Sequence, residues 1–266
     1  LTQTGFINNY IKEENPFPQS IEIDPTNFCN HDCPFCIYSS MHKPGHKERM
    51  KDHRLFEILS EAYQLGTRSV LFIGGGEPLG HNKTIDAIKY CNALGMSVGI
   101  VTNGSLVKTM DVDTLKFEAT YVRFSIDNAT TDTHKAMHQS NDFEQVVSNL
   151  RLVSSRPRKS TVGVSYFISD INFHEISLAT TIVKNAGADY IQFKTYAGIG
   201  IPDEDQKHLF DRFFRASNVT NIEGTGLGLN IVKKYIEMVD GQITFESKVY
   251  CGTTFTVIVP NKNKQT

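Results

Sequence analysis

The sequence contains no apolar run that approaches the roughly 20 residues of a membrane-spanning helix, and its N-terminus lacks a basic segment followed by an apolar one. It also lacks an excess of either charge, because 27 lysines and arginines face 29 aspartates and glutamates. A net charge of −2 gives no overall attraction to nucleic acid or to anionic membranes, so we predict neither as a partner. We expect a soluble, cytoplasmic protein. Its first residue is Leu1 and not a methionine, which is compatible with a fragment of a longer chain.

Cysteine is also scarce, with five residues in the whole chain. Five is an odd number in a sequence without secretory features, so a framework of disulfide bonds is not expected. With 39% hydrophobic and 21% charged residues the composition is that of a globular protein, which excludes disorder, collagen and coiled coil as descriptions of the whole. A length of 266 residues allows one large domain, or a core domain with an appendage.

Strand and helix patterns alternate between residues 21 and 196. Apolar, β-branched segments typical of strands begin at Ile21, Ser69, Ser97, Tyr121, Thr161 and Asp189. Amphipathic helices fit between them, for instance where Leu55, Leu59 and Ala62 recur at helical spacing. Six strands that alternate with helices predict a parallel sheet, which either closes into a (β/α) barrel or opens into a doubly wound layer. In both architectures the functional groups lie at the carboxyl ends of the strands.

The pattern changes after Tyr196. Residues 197–266 read as a loop, a helix over Pro202–Arg215, a glycine-rich loop, a helix over Leu229–Val239 and two strands of an antiparallel hairpin. This order is typical of an α+β structure. We therefore place a boundary near residue 197 and predict two domains, residues 1–196 and residues 197–266.

The sixth predicted strand needs a covering element, because a strand of a parallel sheet is buried on both faces. The helix predicted over Pro202–Arg215 carries acids in its first turn and arginines in its last, as helix ends do. Its Phe213 and Phe214 would lie on one apolar stripe. We therefore expect this helix to pack on the sixth strand as its outer cover.

Three of the cysteines lie within eight residues, directly after the first predicted strand. Cys29, Cys33 and Cys36 have the spacing CxxxCxxC, which lets several thiolates converge on one inorganic centre. A [4Fe–4S] cluster on three cysteines would keep one iron free for a small molecule, whereas zinc would need a nitrogen ligand such as His31. A third interpretation is three reduced thiols without a metal.

This spacing at the end of a first strand resembles that of the radical S-adenosylmethionine (SAM) superfamily, over about residues 17–196. The sequence GGGEP at Gly74–Pro78 ends the second predicted strand as the GGEP motif of that family does, and Thr102-Asn103-Gly104 ends the third. In the family the GGEP segment meets the methionine amino group of SAM. Glycines let a backbone approach a ligand closely, and a carboxylate suits an ammonium.

The resemblance implies a partial (β/α)6 barrel of TIM type, followed by the small α+β segment. It places a [4Fe–4S] cluster on the three loop cysteines. It places SAM at Phe35, Gly75, Gly76, Glu77, Pro78, Asn103, Ser125 and Asp127. The implied reaction is cleavage of SAM by one electron from the cluster, which yields a 5′-deoxyadenosyl radical that abstracts hydrogen from a substrate. The implied partners are a small-molecule or peptide substrate and an electron donor such as flavodoxin or ferredoxin, and no catalytic residue is assigned.

The tail carries three further motifs, GIGIP, LFDRFFRA and GTGLGLN, in this order. Over about residues 198–260 they resemble the first glycine box, the F box and the second glycine box of sensor histidine kinase ATP-binding domains. Tyr196 stands where that family has its adenine-contacting Asp, and the helix with the magnesium-binding Asn does not precede the first box. The chain is interpreted as a radical SAM core fused to the C-terminal half of a kinase domain, in which ATP binding is not expected.

Two other functions stay open at this point. One is an ATP-binding signalling module formed by the tail, against which the missing Asp and Asn count. The other is a non-catalytic fusion in which a metal only stabilises the barrel. The GGGEP segment counts against that interpretation, because a structural metal site needs no SAM site.

Overall fold

The computed structural model describes residues 17–36, 38, 48–194, 200–219, 225–238, 240–249 and 252–258. Tyr196, Cys251 and the first glycine of the tail lie outside the described residues, and so does the junction predicted near residue 197. Among the residues described, no helix combines the length and the apolar character that a membrane crossing requires.

Strands and helices alternate along the described chain. The strands are β1 (Ser20–Ile23), β2 (Ser69–Phe72), β3 (Ser97–Thr102), β4 (Tyr121–Ser125), β5 (Thr161–Phe167), β6 (Tyr190–Lys194), β7 (Gln242–Lys248) and β8 (Gly252–Ile258). The α-helices are α1 (Asp52–Gln64), α2 (Thr84–Ala93), α3 (Val112–Phe117), α4 (Thr131–His138), α5 (Phe143–Ser154), α6 (Ile176–Ala186), α7 (Asp203–Gln206) and α8 (Gly228–Met238).

The strands form one mixed sheet with the order β1-β2-β3-β4-β5-β6-β8-β7. β1, β2 and β3 pair in parallel, as do β5 and β6. β8 runs antiparallel to both β6 and β7. The prediction of six α/β strands in chain order, followed by an antiparallel hairpin, is confirmed.

By their contacts the residues divide into two compact units, residues 1–123 with 156–161 and residues 124–155 with 162–266. The core of the first unit includes Leu55, Leu59, Val70, Phe72, Ile88, Cys91, Val98 and Ile100. The core of the second includes Val146, Leu150, Val162, Val164, Tyr166 and Phe193. Burial raises the pKa of the Cys91 thiol to about 12, as suits a core cysteine. The boundary near residue 197 is a division by sequence pattern and stays a prediction.

The second unit contains strand β6, where the α/β pattern ends and the tail begins. β8 pairs with β6 in antiparallel register, with Phe193 opposite Phe255. The Phe255 side chain is 2% exposed, and its ring centroid lies 6.0 Å from that of Phe245 and 6.4 Å from that of Phe210. The edge of β6 is therefore closed by backbone hydrogen bonds to the hairpin, and an aromatic cluster packs against the paired strands.

The prediction of a covering helix over Pro202–Arg215 is wrong. Helix α7 ends at Gln206, and the chain continues as turns. Phe213 has a φ of +64°, donates its N–H to the carbonyl of Gly226 at 3.1 Å and is 71% exposed. Because the helix ends at Gln206 and φ of Phe213 lies outside the helical region, the predicted apolar stripe does not form. Leu209 is buried, whereas Phe213 faces solvent.

We predict that Phe255→Ala lowers the free energy of unfolding by about 3–5 kcal/mol, because it removes a buried ring and leaves a cavity. Phe213→Ala should change it by no more than about 0.5 kcal/mol, because that ring is exposed. Urea unfolding followed by far-ultraviolet circular dichroism measures both. Equal losses for the two variants would contradict the packing of the hairpin described above.

Candidate functional site

The cysteine loop follows β1 and is held at its base by residues 48–50. Thr26 and Arg49 form an isolated antiparallel bridge, and the Thr26 hydroxyl donates to the carbonyl of Glu48 at 2.9 Å. The N–H of Asn27 donates to the same carbonyl at 3.1 Å. The backbone direction is thus set before the chain reaches the first cysteine of the loop.

All three cysteines of the loop are half-buried and carry reduced thiols. The Cys36 N–H donates to the Cys33 carbonyl at 3.1 Å, which closes a turn between the second and third cysteines. Burial is the main cause that raises the pKa of the Cys29 thiol to about 12, with smaller contributions from the Glu77 carboxylate and the other two thiols. Burial also raises the pKa of Cys36, and Cys33 and Asp32 add to the effect.

The thiols of this loop therefore disfavour one another's ionisation. A positively charged centre would reverse that penalty, because metals bind thiolates and release the thiol protons. Soft sulfur donors that are partly accessible and lie on one short turn suit an iron–sulfur group. The residues present fit a cluster held by three cysteines.

Phe35 and Pro78, two predicted SAM contacts, differ in exposure. Phe35 lies in the turn between the second and third cysteines and is 39% exposed. Pro78 is buried at the start of the 3₁₀ turn Pro78–Gly80. Their roles toward SAM stay predictions.

Asn103, which follows β3, reaches the cysteine loop from a neighbouring strand end. Its side-chain nitrogen lies 3.9 Å from the Sγ of Cys29 and donates to Oδ1 of Asn30 at 3.0 Å. Its amide oxygen accepts the N–H of Ser105 at 3.0 Å. The structure thus brings Asn103 to the first cysteine of the loop, while its contact with SAM stays a prediction.

The glycines of the GGGEP segment pack against the chain that leads into the cysteine loop. The Gly75 N–H donates to Oδ2 of Asp24 at 2.7 Å. A Cβ at Gly76 would lie 2.3 Å from the carbonyl oxygen of Thr26 and 2.4 Å from that of Phe28. Any larger residue there would push the two loops apart. The sequence interpretation linked these glycines to a ligand. The structure adds a second reason for glycine, because the chain that leads into the cysteine loop packs too closely for a side chain.

Glu77 is buried, with 2% exposure, and its carboxylate is held by hydrogen bonds from within the first unit. Its Oε1 accepts the Thr102 hydroxyl at 2.6 Å and the Leu79 N–H at 3.0 Å. Its Oε2 accepts the Asn103 N–H at 2.7 Å. Burial raises the pKa of this carboxyl, while the three donors oppose the rise. Glu77 therefore ties the chain after β2 to the end of β3.

Ser125 and Asp127, the remaining predicted SAM contacts, lie at and after the end of β4 in the second unit. Oδ1 of Asp127 accepts the N–H of Phe167 at 2.5 Å, and its Oδ2 lies 3.3 Å from Nε2 of His138. Part of the acceptor capacity of Asp127 is thus used to join the ends of β4 and β5. Ser125 is half-buried. The SAM contacts of both residues stay predictions.

Two buried histidines of α4, His134 and His138, were missed by the sequence interpretation. Their rings stack with 4.7 Å between centroids. The two nitrogens of His134 lie 2.9 Å from Oδ1 of Asn128 and 2.8 Å from Oδ1 of Asp142. Their spacing in the sequence could have revealed this pair, because side chains four residues apart share one face of a helix.

The second glycine box of the tail begins helix α8, beside an apolar cavity of about 550 Å³. Ile176 and Thr180 of α6 and Leu229 and Val232 of α8 line it, and the Thr180 hydroxyl already donates to the carbonyl of Ile176 at 2.8 Å. The described lining residues include His174 but no acid, lysine or arginine.

We predict that Glu77→Gln lowers the free energy of unfolding by about 2–4 kcal/mol, because the new amide group would face a backbone N–H donor. Thr102→Val removes one donor to Glu77 and the acceptor of the Gly104 N–H, and should cost about 1–2 kcal/mol. Thermal and urea unfolding of the apo protein measure both. Glu57→Gln on the exposed face of α1 is the control and should be neutral. A Glu77→Gln variant as stable as wild type would contradict the role given to this carboxylate.

Two family models match the chain. The radical SAM superfamily matches residues 23–180, and the family described as histidine kinase-, DNA gyrase B- and HSP90-like ATPase matches residues 138–263. The signal transduction histidine-protein kinase ArlS of Staphylococcus aureus (strain USA300) is 48% identical over 63 residues. That stretch is 23% of this chain and 14% of ArlS, so the likeness covers a small part of the kinase.

Solved structures share the fold at low sequence identity. TYW1 with a lysine-pyruvate adduct bound has a TM-score of 0.64 and 14% identity, over 92% of this chain and 81% of that one. Streptococcus suis SuiB bound to its precursor peptide SuiA has a TM-score of 0.59 and 18% identity, over 71% of this chain and 42% of SuiB. Native anSMEcpe with bound AdoMet and Cp18Cys peptide has a TM-score of 0.53 and 18% identity, over 67% of this chain and 51% of that one.

The radical SAM match covers more than half of the chain, and it includes the cysteine loop, the GGGEP segment and Asn103. The second match includes the hairpin that closes the edge of β6. The chain therefore belongs to the radical SAM superfamily, and its residues 138–263 are similar to histidine kinase-type ATPase domains.

Proposed function

We propose that the protein is a radical SAM enzyme that binds a [4Fe–4S] cluster on Cys29, Cys33 and Cys36. The observation that carries the proposal is the contact of Cys29, the first of three half-buried thiols in the loop, with Asn103 after β3, whose N–H binds the Glu77 carboxylate after β2. A metal that only stabilises a loop needs no polar side chain from a neighbouring strand end. The domain division at residue 197, with the core before it, is part of the same proposal.

In this proposal, different residues of the chain have different roles at the site. When bound, the cluster would supply the electron that cleaves the C–S bond of SAM into methionine and a 5′-deoxyadenosyl radical. The three thiolates hold the cluster, and the Asn103 amide lies against the Cys29 sulfur, where a donor tunes a metal-bound thiolate. Glu77 joins the ends of β2 and β3, where the proposed SAM contacts Gly75, Gly76 and Asn103 lie.

The remaining SAM contacts of the proposal are Phe35, Gly75, Gly76, Pro78, Ser125 and Asp127. The substrate is proposed to be a peptide or a small molecule, since SuiB and anSMEcpe were solved with peptides and TYW1 with a small adduct. An electron donor of the flavodoxin or ferredoxin type would reduce the cluster. Free thiols suit the reducing cytoplasm as the place of action.

We predict that anaerobic reconstitution with iron and sulfide gives about four irons per chain, as one cubane cluster requires. Cys29→Ala, Cys33→Ala and Cys36→Ala should each lose the cluster, because each removes a ligand. Cys91→Ala is the matched control and should keep it, because Cys91 lies in the core. Iron analysis and electron paramagnetic resonance (EPR) of the reduced protein measure the outcome. Stoichiometric zinc with no uptake of iron would contradict the proposal.

We also predict that the tail does not form a working kinase site. Mg-ATP should bind weakly or not at all, because a site built to hydrogen-bond adenine loses much of its affinity without the partner group. Tyr196 replaces that group in the sequence. Isothermal titration calorimetry with Mg-ATP and an autophosphorylation assay test this. A micromolar dissociation constant for ATP would show that the tail retains nucleotide binding.

A further inference from the structure

The side chains of Asn30, Ser105 and Asn103 form a closed circle of hydrogen bonds beside the first cysteine of the loop, here called the polar ring. The amide nitrogen of Asn30 donates to the Ser105 hydroxyl oxygen at 2.6 Å. That hydroxyl donates to Oδ1 of Asn103 at 3.1 Å, and the amide nitrogen of Asn103 donates to Oδ1 of Asn30 at 3.0 Å. Each side chain therefore gives one hydrogen bond and accepts one within the ring.

The polar ring determines which way the Asn103 amide faces. Its Oδ1 accepts the backbone N–H of Ser105 at 3.0 Å as well as the Ser105 hydroxyl. If the amide were turned by 180°, its nitrogen would face that backbone donor and the hydrogen bond would be lost. One N–H of the amide is directed to Asn30, and the other is directed to the Cys29 sulfur, at a nitrogen–sulfur distance of 3.9 Å.

The backbone of Asn103 is held as firmly as its side chain. Its N–H donates to Oε2 of Glu77 at 2.7 Å, and the residue is 9% exposed. Main chain and side chain are thus both fixed before any cluster binds. A donor that is oriented in advance needs little rearrangement when charge develops on the sulfur beside it.

In the proposed function Cys29 is a thiolate ligand of the cluster. A hydrogen-bond donor at such a sulfur stabilises negative charge, and the reduced cluster carries one electron more than the oxidised one. We propose that the Asn103 amide raises the reduction potential of the cluster through Cys29, and that Asn30 and Ser105 are the positioning residues that orient this amide. This assignment rests on the proposed function, and it gives the electron donor a cluster that is easier to reduce.

Substitutions after β3 test the polar ring without changing the cysteine loop. Asn103→Ala removes the donor, and Ser105→Ala opens the ring while Asn103 stays in place. The double variant shows whether Ser105 acts through Asn103. The matched controls are Asn82→Ala, at an exposed asparagine before α2, and Ser97→Ala, at an exposed serine at the opposite end of β3.

The measurement is an anaerobic redox titration of the reconstituted protein without SAM, followed by the EPR signal of the reduced cluster. Asn103→Ala should lower the equilibrium constant for one-electron reduction about tenfold, which is a potential about 59 mV more negative. Ser105→Ala should lower that constant about threefold, because the amide is then held less firmly. The double variant should match Asn103→Ala, and both controls should match wild type. Iron content should be unchanged throughout.

A wild-type potential in Asn103→Ala would overturn the proposal. Additive effects in the double variant would also overturn it, because Ser105 would then act independently of Asn103. Loss of the cluster from either single variant, with the apo protein folded by circular dichroism, would show that the ring retains the cluster and does not tune it. Failure of the wild-type protein to take up iron would instead overturn the proposed function, so the two failures are distinguishable.

Discussion

The buried carboxylate of Glu77 is the interaction on which the arrangement of the first unit depends. It gathers donors from the 3₁₀ turn that follows it and from the end of β3, while its own N–H donates to the Phe28 carbonyl beside the cysteine loop at 2.8 Å. A carboxylate that is out of water is unfavourable unless its acceptor positions are filled. The 3₁₀ turn and the end of β3 can fill them only in one relative position, and the Glu77 N–H joins the chain beside the cysteine loop to the same arrangement.

The second unit depends on a different constraint, which is the open edge of a sheet. β6 would expose a row of N–H and C=O groups if nothing paired with it. β8 satisfies that edge with backbone bonds, which depend on strand geometry more than on side-chain identity. This explains how a hairpin from one family can continue the sheet of another. Side-chain fit matters afterwards, as the packing of Phe255 with Phe210 and Phe245 shows.

The sequence patterns predicted the elements whose signals are local. The six α/β strands and the hairpin follow from periodicity, and the three loop thiols follow from their spacing. The helix predicted over Pro202–Arg215 ends at Gln206 despite good helix-end residues, and the segment after it is held by a long-range contact from Phe213 to Gly226 that no local pattern reveals. The environment of Glu77 was unpredictable for the same reason, since its donors Thr102 and Asn103 lie more than twenty residues away. The contact of Asp24 with Gly75 was missed because nothing in the sequence neighbourhood of either residue reveals it.

The most direct test of the central claim is a single-turnover assay of SAM cleavage. Anaerobically reconstituted protein is reduced with dithionite in the presence of SAM, and 5′-deoxyadenosine and methionine are quantified by chromatography. The account predicts that both products form in equal amounts and only when the reductant is present. Cluster-loaded protein that binds SAM yet releases no 5′-deoxyadenosine would contradict it.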